Sequence, residues 1–151
     1  MALVLGCFLP SPSVQADADN GHTIVGLWRV HYFVGTQQVF QTFDQWHRDG
    51  LEFEVAGIAP GAKVSGQPQA NVCQGTWKKI SNDRVQLYHV AWTFDANGAL
   101  NGYWDETQIN TVDSNGKGYH GTFEMSFYDL NGKFLFKNTG TVRATRLSVD
   151  D

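Results

Sequence analysis

The chain has 151 residues, 42% of them hydrophobic and 17% charged, a size that suits one domain around one core and is short for two. Eleven Lys and Arg against fifteen Asp and Glu give a formal charge of -4 with no basic run, so a nucleic-acid or anionic-membrane surface is not expected. Sixteen Gly, five Trp, five Tyr and ten Phe with only four Pro make a profile of strand formers and turn residues that excludes coiled coil and disorder.

The chain opens on an apolar stretch, Ala2-Leu-Val-Leu-Gly-Cys-Phe-Leu9, far shorter than the roughly 20 residues a membrane-spanning helix needs. Pro10-Ser-Pro-Ser follows, then Val14-Gln15-Ala16 and the polar Asp17-Ala-Asp-Asn20. Small or short residues three and one before a cut read as the end of a secretory signal peptide over residues 1–16, so a secreted or periplasmic protein is expected. Lipidation of Cys7 is a lower-ranked alternative. Residues 17–23 then form a linker. Cleavage after Ala16 leaves Cys73 as the one cysteine, which cannot form an internal disulfide and reads as a small buried hydrophobe.

From residue 24 onward the pattern is of strands. Stretches rich in Val, Ile, Thr, Tyr, Phe and Trp lie at residues 24–34, 38–48, 51–57, 71–80, 84–95, 99–112, 118–129 and 133–147. Asp49-Gly50, Asn97-Gly98, Asn115-Gly116 and Asn131-Gly132 punctuate them with backbones that accept the positive φ of tight hairpins. Residues 56–70 collect Gly, Ala, Pro, Ser and Gln without periodicity and form the one long loop. A helix competes only over Gln37–Arg48, where Val39, Phe40, Phe43 and Trp46 have near-helical spacing; the Asp49-Gly50 turn and the alternating Leu51-Glu-Phe-Glu-Val55 favour a strand there, with Glu52 and Glu54 facing away from Leu51, Phe53 and Val55.

Eight sequential antiparallel strands with no helix to cover their edges are best satisfied by closure. The expected fold is all-β, an eight-stranded antiparallel up-and-down barrel over residues 24–147 with a short tail at 148–151; a sandwich is the alternative. Gly26-Leu27-Trp28 near the start and Arg143 and Arg146 in Gly140-Thr-Val-Arg-Ala-Thr-Arg146 near the end resemble the lipocalin and wider calycin arrangement, in which a first-strand Trp is covered by a last-strand Arg. Together with Phe43-Asp-Gln-Trp-His-Arg-Asp-Gly50, Cys73-Gln-Gly-Thr-Trp-Lys78, Val90-Ala-Trp-Thr-Phe-Asp95 and Tyr119-His-Gly-Thr-Phe123, the chain is similar to the lipocalin-like barrels of exported bacterial proteins that lack an assigned reaction. The resemblance implies the barrel and gives structural roles to Trp28, Arg143 and Arg146. The lipocalin disulfide and C-terminal helix are absent, and the expected barrel also resembles, in shape, the allene oxide cyclase barrel.

Catalytic signatures are missing. The histidines, His22, His31, His47, His89 and His120, make no H-x-H, H-x-x-x-H or H-E-x-x-H pattern, and no cysteine pair accompanies them, so neither a metal nor another cofactor is expected. No nucleophile elbow and no phosphate loop occurs. Asp95-Ala-Asn-Gly98 and Asp113-Ser-Asn-Gly116 echo fragments of calcium loops, for which ordinary hairpin turns are the better account. His89 shares a face with Val85, Leu87 and Ala91, where a core histidine hydrogen-bonded across the sheet is the plainer reading and an acid–base role with Glu124 or His47 the sharper one.

The aromatic excess is the main functional signal. Core packing accounts for most of these rings, and a pocket or an interface for the remainder. The leading expectation is binding of a small, largely apolar or aromatic molecule in the barrel cavity, with Tyr32, Phe43, Trp46, His89, Trp92, Trp104, Phe123, Met125 and Phe127 as candidate lining residues. A cofactor-free isomerase or cyclase using the same cavity is the second hypothesis. An envelope interaction module with an aromatic outer patch, a homodimer being one form of it, is the third.

Overall fold

The computed structural model describes residues 23–57, 63–64, 67–68 and 72–150. The expected signal peptide, Cys7 and His22 lie outside them. The strands are β1 (Gly26–Val34), β2 (Gln37–Trp46), β3 (Leu51–Ala56), β4 (Lys63–Val64), β5 (Gln67–Pro68), β6 (Val72–Lys79), β7 (Arg84–Phe94), β8 (Leu100–Val112), β9 (Gly118–Asp129) and β10 (Phe134–Arg146). Eight of them close into a barrel in the order β1-β10-β9-β8-β7-β6-β3-β2, every pair antiparallel, while β4 and β5, which lie between β3 and β6 in the chain, pair as a separate two-stranded sheet. Closure is made by β1 against β10, from Trp28 opposite Arg146 to Phe33 opposite Thr141. The Gln37–Trp46 segment is a strand, paired on both sides. Among the described residues no helix is long and apolar enough to cross a membrane.

The turns follow from their residues. In Asp95-Ala-Asn-Gly98 the Gly98 amide donates to the Asp95 carbonyl at 3.0 Å, and in Asp129-Leu-Asn-Gly132 the Gly132 amide donates to the Asp129 carbonyl at 3.0 Å. The two glycines have φ of 80° and 77°, a region costly for residues bearing a Cβ. The Asp95 carboxylate accepts the amides of Asn97 and Ala99, and the Asp129 carboxylate those of Asn131 and Lys133. Those side chains therefore hold turns together, which is what the calcium-like fragment at Asp95 amounts to.

One end of the barrel is closed by the first and last strands. The Trp28 indole donates to the Ile24 carbonyl at 2.7 Å, and the Arg146 guanidinium lies 4.1 Å from the centre of the Trp28 ring. Arg146 donates to the carbonyls of Gly116 at 2.7 Å, Val25 at 2.8 Å and Thr23 at 2.5 Å. Gly26 has to be small here, because a Cβ on it would lie 2.5 Å from the guanidinium. Arg143, in contrast, points outward, 5.7 Å over the Phe33 ring. Alternation on β10 requires this separation: Val142, Ala144 and Arg146 share the inner side, so Arg143 cannot join them at Trp28.

Arg146→Ala removes three charge-assisted bonds and the stack together. It is expected to cost at least about 2 kcal/mol, read as a lower midpoint in urea denaturation with an unchanged slope, whereas exposed Arg143→Ala is expected to change stability by less than about 0.5 kcal/mol.

Candidate functional site

The interior of the barrel is acidic. Because side chains alternate, the inner face of each strand is settled by a few of its members: Trp28, Val30 and Tyr32 on β1, Thr42, Asp44 and Trp46 on β2, and Val85, Leu87 and His89 on β7 are all buried. Carrying the register across each hairpin then brings Glu52 and Glu54 inward from β3, because Trp46 pairs with Glu52 and Asp44 with Glu54. Leu51 and Val55 stand outside at 43% and 48% exposure, so on β3 the carboxylates rather than the hydrophobic residues occupy the interior. Strand β8 contributes Glu106, Gln108 and Asn110, with Trp104 at one side of them and Val112 at the other.

These groups meet around His89. Its Nδ1 lies 3.3 Å from Glu52 Oε2 and its Nε2 lies 3.2 Å from Glu106 Oε1, all three side chains being fully buried. The first contact is a hydrogen bond; the second has ion-pair distance without hydrogen-bond alignment. A chain of bonds continues from β8. Asn110 Nδ2 donates to Gln108 Oε1 at 2.8 Å, and Gln108 Nε2 donates to Glu106 Oε1 at 2.6 Å and to the Tyr32 hydroxyl at 2.7 Å. Tyr32 donates in turn to Glu54 Oε2 at 2.7 Å. Cys73 Sγ donates to Glu54 Oε1 at 3.2 Å, and Asp44 receives Thr42 and Tyr119 hydroxyls at 2.5 and 3.1 Å.

Four carboxyls around one imidazole cannot all carry charge in so dry a place. Burial pushes Glu54 up to about 7, nearby Glu52 and Glu106 adding to the rise and His89 and the Tyr32 bond opposing it. Burial also raises Asp44 well above the usual carboxylate range, with Glu54 and Glu52 adding, against the Thr42 bond and His89. For His89 burial disfavours the charged ring, but contact with Glu106 and then Glu52 outweighs it and the net shift is well upward. Desolvation, followed by the Glu54 charge, pushes the Cys73 thiol up, so it is a weak nucleophile as well as a buried one. The cluster is thus arranged to keep protons: on a carboxyl, on a carboxylic acid near neutrality and on an imidazole.

Among the candidate lining residues, Tyr32, Trp46, His89, Trp104, Phe123, Met125 and Phe127 converge on the interior and are at most 4% exposed. They are packed against other side chains: Tyr32 stacks on Phe40 at 4.3 Å and meets Phe123 edge-on at 5.3 Å, Phe127 stacks on Phe136 at 4.3 Å, and His89 meets Trp104 at 5.4 Å. Phe43 and Trp92 do not join them. Phe43 stands outside at 47% exposure because Thr42 and Asp44 point in, and Trp92 stands outside at 56% because Ala91 and Thr93 do. Of the proposed acid–base partners for His89, Glu124 is on the outer wall paired with Lys137 at 3.0 Å, since Phe123 and Met125 take the inner side. His47 lies beyond the end of β2, exposed and edge-on to Phe53 at 5.5 Å. The partners of His89 are Glu52 and Glu106 instead. Among the described residues no group of His, Cys, Asp and Glu has the geometry to hold a metal ion.

The outward aromatic residues have their own place. Val72, Val90, Trp92, Leu100, Tyr103 and Leu130 line a cleft of about 680 Å³ on the outer wall over β6, β7 and β8. It sits at the end of the barrel opposite Trp28 and Arg146, where the β7–β8 and β9–β10 turns lie. Trp92 meets Tyr103 edge-on at 6.4 Å, and Tyr103 stacks on Tyr128 at 5.1 Å, so the rings form one continuous surface. Comparison with protein-family models, with curated proteins and with solved structures finds no match.

The protonation pattern fixes the sign of a pH effect. A buried acid with a raised pKa is bound to its proton more tightly when folded, so raising the pH from about 4.5 through about 7 removes stability at Glu54. The His89 contribution is likewise present below its ordinary pKa and lost as pH rises through the elevated one. Both act in one direction. The thermal midpoint is expected to fall as the pH rises from about 4.5 through about 7, and Glu54→Gln, which keeps a neutral group in place, is expected to flatten that fall; a midpoint rising over the same interval contradicts the assignment.

Proposed function

We propose that this protein binds a small, largely apolar or aromatic molecule, and that the site is the rim cleft rather than the barrel interior. The observation that carries the reading is the cleft of about 680 Å³ with Trp92 on its wall at 56% exposure. Its volume falls in the range of small-molecule sites, and its lining is apolar with Gln74 as a polar contributor. An indole this exposed loses stabilisation to water unless something covers it, and a flat ring stacked against it gains area at little entropic cost. The interior aromatic residues, by comparison, already cover one another. The Trp28–Arg146 stack supports kinship with lipocalin-like barrels, and export through a signal peptide over residues 1–16 belongs to the same proposal.

The test is fluorescence titration of the full chain with the neutral probe N-phenylnaphthylamine, with native mass spectrometry for any molecule retained from its host. Saturable binding that Trp92→Ala weakens at least about tenfold and that Phe43→Ala leaves unchanged supports the reading. Equal binding by all three proteins, or none by the wild type, overturns it.

A second reading, a cofactor-free isomerase or cyclase, is favoured by one observation: Glu54, at about 7, sits within one hydrogen bond of Tyr32 beside a His89 held by two carboxylates. Such a site transfers protons within a substrate. Its signature is wash-in of solvent deuterium at the acidic carbon of an added β,γ-unsaturated ketone, abolished in Glu54→Gln; no exchange above buffer removes it. Full burial of His89, Glu52 and Glu106 ranks this reading below the accessible cleft.

A further inference from the structure

On the outer wall at the other end of the barrel, the register gathers arginine and histidine side chains that are far apart in the chain. Arg84 of β7 pairs with Thr111 of β8, Thr111 with His120 of β9, His120 with Arg143 of β10, and Arg143 with His31 of β1. These five positions form one row across adjacent strands, all on the outer face. A second row runs beside it, Ile109 opposite Thr122 and Thr122 opposite Thr141. Between the rows lies a cleft of about 430 Å³ whose polar lining is Arg84, Arg143, His120, Thr111, Thr122 and Thr141.

The chain is acidic, with fifteen Asp and Glu to eleven Lys and Arg. Among the described residues neither Arg84 nor Arg143 is in an ion pair. Arg143 rests over the Phe33 ring at 5.7 Å, a contact that does not neutralise it. Two other acids have contacts of their own: Glu124 holds Lys137 at 3.0 Å, and Asp83 accepts the Ser81 hydroxyl at 2.9 Å. One acid does reach the row, Asp113, whose Oδ1 lies 3.2 Å from His120 Nδ1. It engages the histidine and leaves both arginines open.

We propose that this cleft is a binding site for the oxyanion of a small phosphorylated or sulfated molecule. A guanidinium presents paired donors that match two oxygens of such a group, and three threonine hydroxyls supply further donors at neutral charge. The cleft is larger than a bare phosphate, which leaves room for an attached body the size of a monosaccharide. The site stands apart from the aromatic rim cleft and does not depend on the function assigned there. Phosphate and sulfate esters share the recognised chemistry, and the experiment separates them.

The experiment is isothermal titration of the full chain with glucose 6-phosphate, glucose 6-sulfate and glucose, repeated on Arg84→Gln and Arg143→Gln. Circular dichroism serves as the check on folding, both side chains being exposed. The expected result is saturable binding of one or both esters, none of glucose, a loss of about tenfold in each variant, and weakening as sodium chloride is added. The better ester identifies the anion, and inorganic phosphate or sulfate competes with it. No saturable heat with either ester at about 5 mM, binding of glucose equal to that of its esters, or affinity unchanged in both variants overturns the proposal.

Discussion

The pairing of β1 with β10 is the constraint on which the rest depends. Once Trp28 lies opposite Arg146 and Phe33 opposite Thr141, the sheet has no edge, and every strand residue is either inside or outside. The alternation along each strand and the register across each hairpin then propagate one choice around the barrel. Trp28 on the inner side of β1 is enough to place Asp44 inside on β2, Glu54 inside on β3 and Cys73 inside on β6, because these are successive partners. The acidic interior is a consequence of closure in that register, and closure obliges the fold to manage it.

It does so with few resources. Among the described residues no Lys or Arg side chain is fully buried, so His89 is the cation that faces Glu52 and Glu106, while Glu54 and Asp44 rely on retained protons and on hydroxyl donors. An apolar interior of similar volume would cost less to assemble. What the polar arrangement adds is directionality: Asn110, Gln108, Tyr32 and Glu54 are linked in sequence across β8, β1 and β3, strands that are not neighbours in the sheet. Those bonds tie opposite walls at defined heights, which close packing of leucines would not do.

Most of the fold was legible in the chain because its signals are local. Hairpin glycines at Gly50, Gly98, Gly116 and Gly132 and runs of β-branched and aromatic residues place all eight barrel strands to within a few residues. The site was less legible, for two physical reasons. Hydrophobic alternation is a guide to the interior only when the interior is apolar, and on β3 it points the wrong way. Convergence, moreover, depends on partners far apart in sequence: Glu52, His89 and Glu106 lie on three different strands. One signal was nevertheless present. Phe43 and Trp46 are an odd number of residues apart, so they cannot share a face, and accepting Trp46 as internal carries Glu52 inward through the Asp49-Gly50 turn. The basic row of Arg84, His120 and Arg143 had no sequence signal, since only antiparallel register assembles it.

Strand β3 bears a further consequence for how the chain reaches this state. A slip of one residue against β2 would turn Leu51, Phe53 and Val55 inward and place Glu52 and Glu54 in water, an exchange that hydrophobic burial alone favours. The native pairing therefore competes, early in assembly, with a neighbour that is better solvated strand by strand. It prevails only when Cys73, Tyr32 and His89 arrive from elsewhere to receive the carboxyl groups. Local preference and long-range order are in conflict along these six residues, so the alignment of β3 depends on partners from β1, β6 and β7 rather than on its own hairpin alone.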